Sequence, residues 1–93
     1  MTLTVYKFPV VPEFTLGLPP YAAVLCVQVQ GGRQLEGGRA VMWVLGNFDE
    51  PARVERRFLS VGTGHPIETP FNCRYISTWQ LDELVFHTFE VLS

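Results

Sequence analysis

The sequence predicts an all-β fold: a small antiparallel β-sandwich or barrel of six to seven short strands, in one domain over residues 1–93. Three observations carry this. Short alternating runs rich in Val, Thr, Phe and other apolar residues recur along the chain, and β-branched and aromatic types fit a pleated, half-buried surface. Clusters of Gly and Pro separate the runs at intervals suited to turns. A length of 93 residues with 47% hydrophobic and 17% charged residues supplies one modest core and no second one. The alternative is an α+β fold with a C-terminal helix, because Leu81, Leu84, Val85, Thr88, Phe89 and Leu92 also form a helical stripe. The strand is preferred there, since Val, Phe and Thr dominate and no capping residue opens a helix.

Taken in order, Thr2 to Phe8 alternates as a strand that Pro9 and Pro12 should end, because neither can donate to a ladder. Glu13–Leu16 follows, with Phe14 and Leu16 on one face, and Gly17 to Pro20 forces a turn. Ala23 to Gln30 is the clearest strand. Its alternation puts Leu25, Val27 and Val29 on one face and Val24, Cys26, Gln28 and Gln30 on the other. Gly31 to Gly38 reads as a flexible hairpin loop. Ala40 to Leu45 is apolar on both faces, the mark of a central, covered strand. Gly46 to Pro51 is a further loop. Arg53 to Val61 is a long strand with Val54, Arg56, Phe58 and Ser60 on one face and Glu55, Arg57, Leu59 and Val61 on the other. After Pro70, Asn72 to Trp79 carries Cys73, Tyr75, Ser77 and Trp79 on one side. Leu84 to Val91 closes the chain, with Val85, His87, Phe89 and Val91 facing one way.

The strands surround one unusual stretch, Val61 to Ile67. Gly62 and Gly64 bracket Thr63 and accept the positive φ values that other residues avoid. Pro66 fixes its own φ and drives His65 out of the helical region. A tight turn should result, with N–H groups, a hydroxyl and an imidazole close together.

Composition excludes some functions. A net charge of −2 argues against a general nucleic-acid binder, which needs a basic surplus to meet phosphates. A local basic pocket stays open, because Arg53, Arg56, Arg57 and Arg74 lie near the turn in sequence. No apolar run approaches the roughly 18 residues of a membrane span. The start, Met1 to Thr4, lacks the basic region of a targeting segment, so Cys26 and Cys73 are expected as reduced, buried thiols in the cytoplasm.

Several stretches together resemble a known family: Val5-Tyr-Lys-Phe8, Leu25 to Gln30, Met42-Trp-Val-Leu45, Gly62-Thr-Gly-His-Pro-Ile67, Tyr75-Ile76 and Leu84 to Glu90. In this order they are similar to a family of small uncharacterised proteins of bacteriophages and prophages. The likeness covers nearly the whole chain, and the Gly-Thr-Gly-His-Pro-Ile run is its most specific part. It implies a setting, with localisation in the host cytoplasm if the chain is phage-encoded, and no mechanism. Residues 31–39 make a longer connection than the short Gly-containing turn usual in the family, and Gln80 to Glu83 lacks glycines often present there.

The candidate site is therefore a binding concavity made by Gly62, Thr63, Gly64 and His65 with Arg56 and Arg57. Successive N–H groups at glycines form a concavity of partial positive charge, and guanidinium forks suit a phosphate. A plain β-turn whose His meets a nearby carbonyl is the commoner use of such a sequence. It is not a P-loop, since no Gly-Lys-Ser/Thr follows. His65 and His87 lack the spacing of a metal pair, and no catalytic residue, metal or cofactor is assigned.

Three readings follow. The first is a non-enzymatic binding protein that sequesters an anionic small molecule, such as a nucleotide signal of host defence. The second is a protein-interaction module, an inhibitor of a host protein or a minor phage accessory protein, acting as a homodimer or larger homo-oligomer. The third is a small hydrolase using His65 with His87.

Overall fold

A computed structural model describes residues 2–33, 37–67 and 72–92. Seven antiparallel strands make two sheets, and none of the described residues is helical, so the all-β sandwich is the fold. The strands are β1 (Thr4–Pro9), β2 (Glu13–Leu18), β3 (Ala23–Arg33), β4 (Gly37–Gly46), β5 (Val54–Gly62), β6 (Cys73–Leu81) and β7 (Leu84–Val91). The first sheet has the order β1-β4-β3 and the second β2-β5-β7-β6. Among the described residues no helix is long and apolar enough to cross a membrane.

The core lies between the sheets. Val27, Met42, Val44 and Ala40 come from the first sheet, and Leu18, Phe58 and Trp79 from the second. Phe14 stacks on Phe58 across the β2–β5 pair, with ring centroids 5.2 Å apart. The C-terminal segment is strand β7, and the helical alternative fails for a physical reason. Its residues pair on both sides, with β5 and with β6, and a helix could not satisfy either ladder.

Alternation read from sequence is corrected in two strands. In β3 the register shifts between Val24 and Cys26, a β-bulge at Leu25. Val24 therefore faces inward with Val27 and Val29, while Leu25 turns outward and is 49% exposed. In β6 a second bulge falls between Tyr75 and Ser77. Cys73 and Tyr75 face outward, whereas Ser77 and Trp79 face the core. Each extra residue flips everything on one side of it to the opposite face.

Smaller departures have local causes. Pro9 belongs to β1 instead of ending it, because β1 is an edge strand with one unpaired side. β2 runs on through Leu18, and the turn falls at Pro19 to Tyr21. The glycine loop is shorter than expected, since β3 reaches Arg33 and β4 starts at Gly37; residues 34–36 lie outside the described ones. The same holds for Pro70, expected to mark the start of β6. Cys26 and Cys73 are free thiols, both half-buried, so neither is as buried as expected.

A polar network crosses the inner face of the second sheet. Arg56 Nε and Nη2 donate to Glu90 Oε2 and Oε1, each at 2.7 Å, and Nη1 donates to the Ala22 carbonyl at 2.6 Å. Thr88 Oγ1 accepts from Trp79 Nε1 at 2.8 Å and lies 2.7 Å from Ser60 Oγ. The Val27 amide donates to Ser77 Oγ at 2.8 Å, which ties β3 to β6 where the two sheets meet. Burial of these groups is tolerable because their hydrogen bonds are made.

Candidate functional site

The turn after β5 is built as a lip over an open end of the sandwich. Gly64 has a φ of 88°, a conformation that L side chains rarely adopt, so glycine is required there. Gly62 is the last residue of β5 and owes its place to space instead. A Cβ at Gly62 would stand 3.3 Å from His65 Nδ1, so its absence lets the imidazole fold back on the strand end. The His65 amide donates to the Gly62 carbonyl at 3.1 Å and closes the turn.

Thr63 anchors the turn to β7. Its amide donates to the Val85 carbonyl at 3.0 Å, and its Oγ1 lies 3.3 Å from the same oxygen and 2.7 Å from His87 Nε2. His87 Nδ1 lies 3.0 Å from Thr78 Oγ1, which is 2.9 Å from the Tyr75 hydroxyl. One proton assignment satisfies every member of this chain. Tyr75 donates to Thr78, Thr78 to Nδ1, Nε2–H to Thr63, and Thr63 to the Val85 carbonyl. The imidazole of His87 thus serves as a strut between Thr63 and Thr78 on the outer face of the second sheet.

Beneath the turn lies a cleft of ≈ 450 Å³. Gly62, His65 and Pro66 line it together with Val10, Val11 and Pro12. Trp79, Leu81 and Phe86 line the interior, with Trp79 and Phe86 stacked at 4.7 Å. These are inner-face residues at the end of the second sheet, Leu81 and Phe86 half-buried and Trp79 buried. The polar groups at the cleft are His65 and Ser60, and Ser60 is already bonded to Thr88.

The six residues expected to form one site are divided. Gly62 and His65 line the cleft, Thr63 turns to His87, and Gly64 shapes the backbone. The arginines stand elsewhere. Arg56 lies six residues before Gly62 along an extended strand, about 20 Å away, and Arg57 about 17 Å. They also point to opposite faces: Arg56 inward to Glu90, Arg57 outward to Glu13 at 2.5 Å. Arg53 donates to backbone carbonyls of the loop before β5. Arg56 instead shares a second cleft, of ≈ 440 Å³, with Arg74, Tyr75, Leu25 and Glu90, at the two bulges where β3 meets β6. The Arg56 pKa is raised, first by the hydrogen bonds to Glu90 and then by its charge, against a lowering by burial.

Sequence reasoning missed the apolar lining. Pro12 read only as a strand-ending residue, whereas with Val10 and Val11 it lines the cleft; Trp79 is a core residue that also reaches the cleft. Among the described residues no group of three or more His, Cys, Asp or Glu is placed to hold a metal. Among the described residues, His65 and His87 share no hydrogen bond and neither meets a carboxylate.

Fold and cleft together define a small two-sheet β domain with an apolar cavity at one open end. The chain belongs to the family DUF7352, described as a domain of unknown function, which matches it over residues 1–93. No curated protein and no solved structure matches it.

Proposed function

We propose that the protein is a non-catalytic binding domain and that the cleft under the Gly-His turn holds the apolar part of a small ligand. One observation carries the reading. The cleft combines a stacked Trp79–Phe86 pair with the imidazole of His65 at its wall. Ligand pockets share this build, apolar in area with few polar groups to orient the guest. The hydrolase reading needs an oriented base, and the ring nitrogens of His87 meet Thr63 and Thr78 instead. In the phage setting implied by the family resemblance, such a domain in the host cytoplasm would sequester a host signal.

A second reading, an anionic small molecule such as a nucleotide, draws on the other cleft, where Arg56 and Arg74 converge with one Glu90 between them. The test separates the two sites. Small molecules released from protein purified from host lysate are identified by mass spectrometry, and amide spectra are recorded with 8-anilinonaphthalene-sulfonate and with a nucleotide panel. Shifts at Gly62, His65 and Phe86 support the turn cleft; shifts at Leu25, Arg74 and Tyr75 support the anion site. With no released species and no shift at either, both readings fall, and capture of a host protein becomes the better account.

A further inference from the structure

The turn cleft continues into a second hollow on the far side of His65. This hollow has a volume of ≈ 370 Å³, and Thr63, Glu83 and Leu84 are among the residues that line it. Gly62, His65 and Phe86 line both spaces, so the two adjoin where the imidazole stands. Glu83 is the residue that the hollow adds to the chemistry. It occupies the two-residue turn Asp82-Glu83 between Leu81 and Leu84, which pair across the β6–β7 hairpin. The side-chain amide of Gln80 donates to the Asp82 carbonyl at 2.9 Å and holds this turn in place.

Charge distinguishes the two ends of the joined space. Among the described residues, no Asp, Glu, Lys or Arg lines the turn cleft, and Glu83 is the one such side chain lining the adjoining hollow. Asp82 places a second carboxylate one residue away in the same turn. The arginines of β5 are committed elsewhere, Arg56 to Glu90 and Arg57 to Glu13. An anionic group entering beside His65 would therefore meet a carboxylate with no lining Lys or Arg to offset it, whereas a cationic group finds its counter-charge. Distance permits one small molecule to use both ends. Three residues separate Glu83 from Phe86, at most about 10 Å of chain.

We propose that the ligand of the turn cleft is an organic cation, with an apolar body on the Trp79–Phe86 pair and an ammonium group on a short carbon linker held by Glu83. The proposal rests on the reading of the cleft given above and adds the charge of its ligand. A neutral imidazole at the junction can accept one further hydrogen bond from the ammonium group. The aromatic lining is itself attractive to a cation. Because Glu83 is exposed, the ammonium group stays partly hydrated, and the carboxylate contributes selectivity more than affinity.

A matched series of probes separates the charge from the apolar seat. Naphthylmethylammonium, naphthylmethanol and naphthylacetate, substituted at the same ring position, share one apolar body and differ in the charge of the end group. Their affinities are read from amide shifts at Gly62, His65 and Phe86, at neutral pH and low salt. The ammonium ion should bind about fivefold tighter than the alcohol, and the carboxylate about fivefold more weakly than the alcohol. Glu83→Gln should bring all three within about twofold while the alcohol keeps its affinity, and Glu83→Lys should reverse the order. Both substitutions fall in an exposed turn, so the fold is expected to persist. Glu55→Gln removes an exposed carboxylate about 23 Å before Gly62 along β5 and should leave the order unchanged. An alcohol that binds in the cleft while the ammonium ion binds no tighter, or a preference that survives Glu83→Gln, overturns the proposal and leaves the cleft reading standing. If none of the three probes binds, the cleft reading falls and the proposal falls with it.

Discussion

Removing Glu90 tests how the interior is held together and what Arg56 does there. The side chains of Arg56 and Glu90 are 17% and 8% exposed, and the pair is bidentate. In Glu90→Ala the guanidinium keeps the Ala22 carbonyl as a partner but loses its counter-charge. Breaking one side of such a pair costs about 3–5 kcal/mol, because a buried charge is left uncompensated. Discounting for the remaining exposure of Arg56, about 3 kcal/mol is expected. For a domain of this size that is a fall in Tm of about 12 °C or more. The double variant Arg56→Met with Glu90→Leu should recover most of the loss, since apolar replacements of similar volume are often neutral. Urea unfolding followed by circular dichroism gives both values. The pH sign is fixed by Arg56. Its folded-state pKa is raised by Glu90, so its contribution is complete below the ordinary arginine range and is lost only as pH rises through the folded value. The deficit of Glu90→Ala should therefore be equal at pH 7 and pH 9. A deficit under about 1 kcal/mol, or a double variant worse than the single one, would refute the argument and return Arg56 to the candidate ligand groups.

The remaining predictions concern the turn and its cleft. Gly64→Ala should cost about 1–2 kcal/mol in thermal unfolding, because its φ of 88° strains any side chain. His87→Ala removes the strut to Thr63 and Thr78, so amide exchange at Thr63 and His65 should accelerate about tenfold while global stability falls by about 1 kcal/mol. Trp79→Phe keeps the stack on Phe86 but loses the bond to Thr88, a loss of about 1 kcal/mol by urea unfolding, and leaves Trp43 as the single tryptophan.

Much of the strand pattern was legible because period-two alternation reports a face wherever one side is buried. The β5 and β7 faces read correctly: Phe58 and Arg56 go inward, and Val85, His87, Phe89 and Val91 go outward. Two strands misread because a bulge adds a residue without any change in composition. Leu25 looks like a core residue and lies outside, while Tyr75 and Trp79 look like neighbours on one face and are not. The turn was legible too, since glycine and proline constrain backbone locally.

What the sequence determined by itself was therefore local: the class, the strands, the turn at Gly62–Ile67, and the need for glycine at Gly64. What tertiary structure decided was who meets whom. It paired Arg56 with Glu90 and Arg57 with Glu13, some 34 and 44 residues apart in the chain. It also opened an apolar cleft beside His65. The physical reason is that charges and apolar faces act through space, and strand register sets those distances. A cluster of arginines beside a turn in sequence becomes, along an extended strand, a set of groups tens of ångströms long and facing both ways.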